Sequence, residues 1–371
     1  MRLPQDVTFN DTKHELQAIG MIGGGILLTV FSALLLFKFD WSAAGQWLLQ
    51  AGLLWVYVLV CAWRRLALNR ADAESPLYLS LGWGNRLTIL RGGLIALTGG
   101  FLFMPQKLAD LAWLPALFYT LAATLDRLDG FAARRSGQVS LLGNELDITF
   151  DALGLVVAPL LAIELGTLHG SYLLLSAAYY VYRWSLQRRY RLNLPVQAPP
   201  KNPLRRTLAG FQMAFVALAL WPLLNPALTI VVGIAVMLPV LFGFAADWWV
   251  VCGRLKPRTY SRMAQWSAQF LLPGLRALLL LLLLMPAAID SAGNPPLFGL
   301  ALGVGLIALG CAGRAGALIL IAVLSENFPG GYGVVASYLL IFSASWILLL
   351  GTGRCSLWPW GDEWIQRYDG A

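Results

Sequence analysis

Charge is scarce in this chain. Of its 371 residues, 12% are Asp, Glu, Lys or Arg, about half of the ~25% found in a soluble domain. Hydrophobic residues make up 58%, and the mean hydropathy is +0.67. These values exclude a soluble globular enzyme and a disordered chain. Histidine occurs only at His14 and His169, in separate segments, which leaves too few parts for a His-based metal site or a Ser/His/Asp triad. The four cysteines, Cys61, Cys252, Cys311 and Cys355, lie far apart and form no CxxC. That spacing argues against a zinc site and a disulfide framework. No small-residue cleavage site follows the first apolar run, so a retained helix is expected there, not a signal peptide.

Long apolar runs are what the chain has instead. They predict helices near 18–37, 45–63, 86–104, 108–126, 147–166, 171–187, 207–223, 226–252, 268–289, 296–312, 314–325 and 333–351. A span needs about 20 residues, so 314–325 is short and is read either as its own span or as the end of 296–312. Twelve spans are preferred to eleven. With the N-terminus in the cytoplasm, Arg64, Arg65, Arg70, Arg127, Arg134, Arg135 and the basic stretches at 183–206 and 254–262 fall inside, while Lys38 and Lys107 fall outside. The formal charge of +8 is therefore read as positive-inside bias, not nucleic-acid binding. Residues 77–83 are expected to lie on the membrane surface as a short helix. Basic loops are expected at 188–206 and 253–266. The GxxxG spacings at Gly20/Gly24 and Gly299/Gly303 are attributed to chance.

One stretch departs from a bland span. Asp126 and Asp129 are three apart and share a face of one helix; Asp147 and Asp151 are four apart and share a face of the next. A short connection makes the two helices antiparallel neighbours, so four carboxylates converge at the membrane edge. Like charges this close repel and call for a cation. Hard oxygen ligands suit magnesium, manganese or calcium. A pair of divalent ions is a recurring device for displacement at phosphorus. Gly130 and Gly143 permit close approach of a ligand, and Arg134 supplies a fork for phosphate.

The pattern D-x2-D-G-x2-A-R-x8-G-x3-D-x3-D is complete here: Asp126, Asp129, Gly130, Ala133, Arg134, Gly143, Asp147 and Asp151. It resembles the signature of the CDP-alcohol phosphotransferase family. Asn85-Arg-Leu87-Thr88-Ile-Leu-Arg91 resembles the opening of that family's first core helix, with Gly84 where a proline is frequent. The resemblance implies an all-α, six-helix membrane core and transfer of a phosphatidyl group from CDP-diacylglycerol to an alcohol, releasing CMP. It further implies metal ligation by Asp126, Asp129, Asp147 and Asp151, with two Mg2+ or Mn2+ ions, and Asp151 as general base. Asn85, Thr88, Gly130, Ala133, Arg134 and Gly143 would line the CDP site. A homodimer within the membrane lipids, with its active site facing the cytoplasm, is also implied. Arg183, Arg188, Lys201 and Arg205 are candidates for an acceptor phosphate, as in glycerol 3-phosphate or inositol 1-phosphate.

The expected organisation is an N-terminal hairpin (1–64), the catalytic core (65–252) and a C-terminal four-helix module (253–371). The ending Gly351-Thr-Gly353-Arg354-Cys-Ser356-Leu357 resembles that of DoxX-like membrane proteins, although Trp358 replaces an acidic residue frequent there. Arg276 is expected to snorkel to the interface. Trp358, Trp360, Trp364 and Tyr368 are expected to form an interfacial aromatic tail. The competing reading is a non-catalytic or dual-role subunit of a membrane complex. Neither the acceptor nor the metal's identity follows from the sequence.

Overall fold

The computed structural model describes residues 5–36, 40–104, 111–197, 203–284, 297–326, 328–329, 334–353 and 356–358. Every regular element among them is helical, and the chain forms two compact units. The first contains α1 (Gln5–Leu36), α2 (Trp41–Arg65), α3 (Gly82–Gly99), α4 (Trp113–Arg135) and α5 (Leu141–Glu164), with the segment Val216–Pro222. The second holds α6 (Leu173–Arg191), the start of α7 (Pro203–Ala219), α8 (Pro226–Val251), α9 (Pro257–Trp266), α10 (Leu272–Leu284), α11 (Leu297–Leu309), α12 (Gly313–Ser325) and α13 (Val334–Leu350). Among the described residues, four stretches are long and apolar enough to cross a bilayer: Phe9–Leu36, Trp41–Leu68, Leu141–Glu164 and Pro226–Val251. Shorter apolar helices accompany them, as in a polytopic membrane protein.

Three helices, α2, α5 and α8, begin where a side chain satisfies one of their first N–H groups. Asp40 Oδ1 accepts from Ala43 N at 2.8 Å, Ser140 Oγ from Gly143 N at 3.0 Å, and Asn225 Oδ1 from Ala227 N at 2.9 Å. Each cap contributes about 1 kcal/mol. Pro226 opens α8 at the position where its missing N–H costs least. In the first unit, α3 is the central helix and packs against α2, α4 and α5. It runs antiparallel to α4, with Gly84 opposite Ala133, Thr88 opposite Asp129 and Arg91 opposite Asp126. It runs parallel to α5, with Asn85 beside Gly143, Gly92 beside Phe150 and Gly99 beside Val157.

Several expectations need correction. Residues 77–81 form an irregular strap, and α3 begins at Gly82. Asn69 holds the strap: its backbone carbonyl accepts from Tyr78 N at 2.8 Å and its Nδ2 donates to the Ser80 carbonyl at 2.9 Å. These bonds satisfy the backbone without a helical turn, and Pro76 disfavours helical geometry at the residue before it. The basic loops are shorter than expected, because α6 extends to Arg191, α7 starts at Pro203, and 257–266 is helical. A π-helical turn, Ser267–Leu271, leads from α9 into α10. It directly precedes Pro273, whose ring nitrogen cannot donate to the preceding turn.

In the second unit, the chain reverses at Gly310–Ala312, so 314–325 does not extend α11. Gly310 and Ala312 both adopt positive φ, 63° and 49°. The hairpin is close because Gly303 lacks a side chain: a Cβ there would meet Leu320 at 2.9 Å and the Gly316 carbonyl at 3.1 Å. The Gly299/Gly303 spacing is thus a packing device, not chance. Arg276 does not simply snorkel; its Nη2 donates 2.7 Å to the Ala308 carbonyl in the last turn of α11. A cation there satisfies an orphan acceptor and complements the helix dipole. Ser356 lies against Gly310 just after this turn, and Leu357 N donates to the Leu309 carbonyl at 3.0 Å. Trp358 is 54% exposed; Arg354, Trp360, Trp364 and Tyr368 lie outside the described residues.

Gly303→Leu is expected to destabilise the α11–α12 hairpin by about 1–3 kcal/mol, as overpacking does. Thermal unfolding of the purified protein in detergent checks this, with Gly305→Ala, where an added Cβ meets nothing within 4 Å, as the mild control.

Candidate functional site

The site grows from three helical stripes. On α3, Gly84, Thr88 and Arg91 recur at i, i+4 and i+7. On α4, Asp126, Asp129 and Ala133 recur at i, i+3 and i+7. On α5, Gly143, Asp147 and Asp151 recur at i, i+4 and i+8. Those spacings put each set on one face. Gly84 sets the distance between α3 and α4: a Cβ there would sit 2.7 Å from that of Ala133 and 3.3 Å from the Asp129 carbonyl. Ala133 is therefore a packing surface for α3. α4 and α5 run antiparallel as expected, but they do not pack on each other as neighbours; α3 packs against both and contributes the residue that joins their carboxylates.

That residue is Arg91, whose side chain is 1% exposed. Its Nη1 pairs with Asp126 Oδ1 and lies 3.4 Å from Asp129 Oδ2. Its Nη2 lies 2.8 Å from Asp147 Oδ1 and 3.1 Å from Asp151 Oδ1. The same Nη2 donates to the Asp147 main-chain carbonyl at 3.1 Å. A planar guanidinium suits this task, because its fork presents donors to two pairs of acceptors at once. Burying it without partners would cost several kcal/mol; the carboxylates offset that cost. The five groups still carry a formal charge of −3, so the site attracts further cations.

The four aspartates are not equivalent. Asp126, Asp147 and Asp151 each offer a carboxylate oxygen, and these lie within 4.8 Å of one another. Asp129 turns toward α3 and is nearly buried: its Oδ2 accepts from Thr88 Oγ1 at 2.9 Å and its Oδ1 from Gly130 N at 2.6 Å. The triad of hard oxygen donors fits a divalent cation of the magnesium or manganese type. Asp147 and Asp151 remain 45% and 39% exposed, which leaves the triad open to a ligand.

The other predicted residues divide between scaffold and surface. Asn85 is buried and fully used: Nδ2 donates to Asn69 Oδ1 at 3.0 Å and the Leu81 carbonyl at 2.8 Å, while Oδ1 accepts from Ser140 Oγ at 3.1 Å. Gly143 packs against it, since a Cβ there would lie 2.7 Å from Asn85 Oδ1. Arg134 is exposed and lies along α4 near Gly130. In the second unit, Arg183 Nη1 donates to Tyr179 Oη at 3.2 Å, and Arg188 stacks on Trp184 with its guanidinium 5.6 Å from the ring centre. Arg205 lies on α7, and Lys201 is outside the described residues.

Two residues were missed as site candidates. Arg91 had a signal, a charge in the middle of an apolar span. Glu15 had none. Its Oε2 accepts from Leu81 N at 2.9 Å and its Oε1 pairs with Arg86, which ties α1 to the start of α3.

Residues 83–251 match the family model described as CDP-alcohol phosphatidyltransferase. The match covers α3 to α8. No curated protein and no solved structure gave a significant match.

Asn85→Ala is expected to lower stability by about 1–3 kcal/mol, because it strips partners from buried Asn69 and Ser140. Thermal melts without substrate check this; a purely ligand-binding role would leave them unchanged.

Proposed function

We propose, because residues 83–251 match the family model described as CDP-alcohol phosphatidyltransferase, that the chain is a transferase of substituted phosphate groups in phospholipid biosynthesis, which transfers a phosphatidyl group from CDP-diacylglycerol to an alcohol and releases CMP. The observation that carries the reading is the convergence of Asp126, Asp147 and Asp151 in an integral membrane protein. The site faces the cytoplasm, in keeping with the arginines that close the helices: Arg64 and Arg65 on α2, Arg134 and Arg135 on α4, and Arg188, Arg189 and Arg191 on α6.

Asp126, Asp147 and Asp151 would hold Mg2+ or Mn2+, while Asp129, turned toward α3 and engaged by Thr88 and Gly130, would back the site from the side. When bound, these ions supply charge neutralisation for the donor's pyrophosphate. The protein's own groups do the rest. Asp151 accepts the proton of the acceptor hydroxyl as that oxygen forms its bond to phosphorus. The bond that breaks joins the same phosphorus to the oxygen leaving with CMP. Thr88 holds Asp129 in orientation. Arg134, with Gly130 and Gly143 lining the approach, meets the CDP phosphates.

The acceptor is assigned as a phosphorylated alcohol, such as glycerol 3-phosphate or inositol 1-phosphate. Its phosphate goes to the basic set Arg183, Arg188, Lys201 and Arg205. Residues 1–64 form an added hairpin, and 253–371 a DoxX-like module. The packing of Thr352 and Ser356 against the α11–α12 turn supports the latter assignment, because Gly310 and Gly313 make room for these two residues of the motif.

CMP release from CDP-diacylglycerol in nanodiscs with Mg2+ or Mn2+ tests the reading, with glycerol 3-phosphate, inositol 1-phosphate, serine and inositol offered separately. Release with a phosphorylated acceptor is expected. Asp151→Asn should reduce it by about 10²–10⁴-fold, the worth of a general base. Release with serine or inositol alone would overturn the acceptor assignment. Absence of CDP-lipid binding would overturn the enzyme reading in favour of a structural subunit.

A further inference from the structure

The four signature aspartates share one guanidinium, and that guanidinium contacts the same three carboxylates that form the cation triad. Resting on the metal assignment above, we propose that Arg91 is the internal counter-ion of the cluster and that loading of a divalent ion must displace it.

The geometry gives competition in two ways. Arg91 Nη1 is paired with Asp126, and Nη2 with Asp147 and Asp151 at 2.8 and 3.1 Å. A divalent ion held by oxygens at about 2.0–2.2 Å takes up the acceptor capacity that these bonds use. A guanidinium left beside it is also a like charge at close range, and such pairs repel strongly away from bulk water. Arg91 cannot retreat into solvent, because its side chain is 1% exposed and α3 is enclosed by α2, α4 and α5. Two contacts lie outside the triad's carboxylates: the Asp129 carboxylate at 3.4 Å and the Asp147 main-chain carbonyl at 3.1 Å. They keep the displaced group at the edge of the site.

This arrangement solves a folding problem. Without a cation, four carboxylates on two helix ends would repel and hold α4 and α5 apart. Arg91 lets both helices pack on α3 before any metal arrives. The cost is metal affinity, since loading must first break ion pairs. Linkage makes this reciprocal: whatever stability Arg91 gives the metal-free cluster is lost from metal binding. Arg91 is therefore a positioning residue that sets how tightly, and how reversibly, the site loads.

The test uses the purified full chain in detergent, stripped of metal by a chelator. Free Mn2+ is followed by electron paramagnetic resonance during titration of the wild type, Arg91→Gln, Arg91→Lys and the double variant D126N/D151N. Thermal unfolding is recorded with and without Mn2+. Arg91→Gln should unfold at lower temperature without metal and show a larger rise on adding Mn2+. It should bind Mn2+ about tenfold more tightly, within the usual span for coupled sites. Arg91→Lys should fall between, because one ammonium cannot bridge both pairs of carboxylates. Mn2+ binding by Arg91→Gln that equals or is weaker than wild type, with D126N/D151N defective, would overturn the proposal and leave the metal site standing. Undiminished binding by D126N/D151N would instead remove the metal reading, and this proposal with it. Should Arg91→Gln fail to fold without metal, Arg91→Lys decides: tighter binding supports the proposal, equal or weaker binding overturns it.

Discussion

Repulsion among four carboxylates at the facing ends of two apolar helices is the constraint on which the first unit depends. Asp126 and Asp129 on α4 and Asp147 and Asp151 on α5 cannot converge unless something positive lies among them. The structure answers with α3, which lies against both helices and lends them Arg91. The glycines and small residues of α3 follow from that need. A guanidinium reaches both carboxylate pairs only if the helix carrying it packs closely on its neighbours, and Gly84 against Ala133 provides the approach.

The surroundings hold this arrangement from outside. Asn69 and Asn85 join the strap before α3 to Ser140 at the start of α5, so the starts of both helices share one buried polar network. Glu15 adds a link from α1. Such a network is costly if half-made and rigid if complete. Residues of the family signature that look like ligand contacts on paper therefore also bear on stability: Asn85, Thr88 and Gly143 each have a packing or hydrogen-bonding partner within the protein.

The second unit is built by different means. Its α11–α12 hairpin has no carboxylate cluster to neutralise and relies on close helix contact at Gly303 and Gly316. Two of its arginines serve helix ends: Arg276 meets the last turn of α11, and Arg314 donates weakly, at 3.4 Å, to the Leu349 carbonyl in the last turn of α13. A cation that satisfies orphan carbonyls at a helix end is a structural element in its own right. This explains why charged residues inside apolar runs need not mark chemistry.

Much of this protein was legible in its sequence. The apolar runs found the helices, because a span must be long and nearly free of charge whatever its neighbours are. Helical spacing alone put Asp126 with Asp129 and Asp147 with Asp151, since 3.6 residues per turn is a local property. The expectation of a divalent cation came from four hard ligands with no partner in the local sequence, and three of them, Asp126, Asp147 and Asp151, do bring oxygens within 4.8 Å of one another. What the sequence could not decide was which helix stands between them. Arg91, Glu15 and Asn69 are distant in sequence from the carboxylates or helices they join, and nothing in local spacing shows where an arginine fork will reach. The same holds for Gly303, whose use depends on α12 folding back upon α11, and for the strap at 69–81, whose hydrogen bonds replaced the helix that its apolar residues predicted. Local periodicity determined the elements and the candidate ligands; only the tertiary packing decided which charge neutralises them.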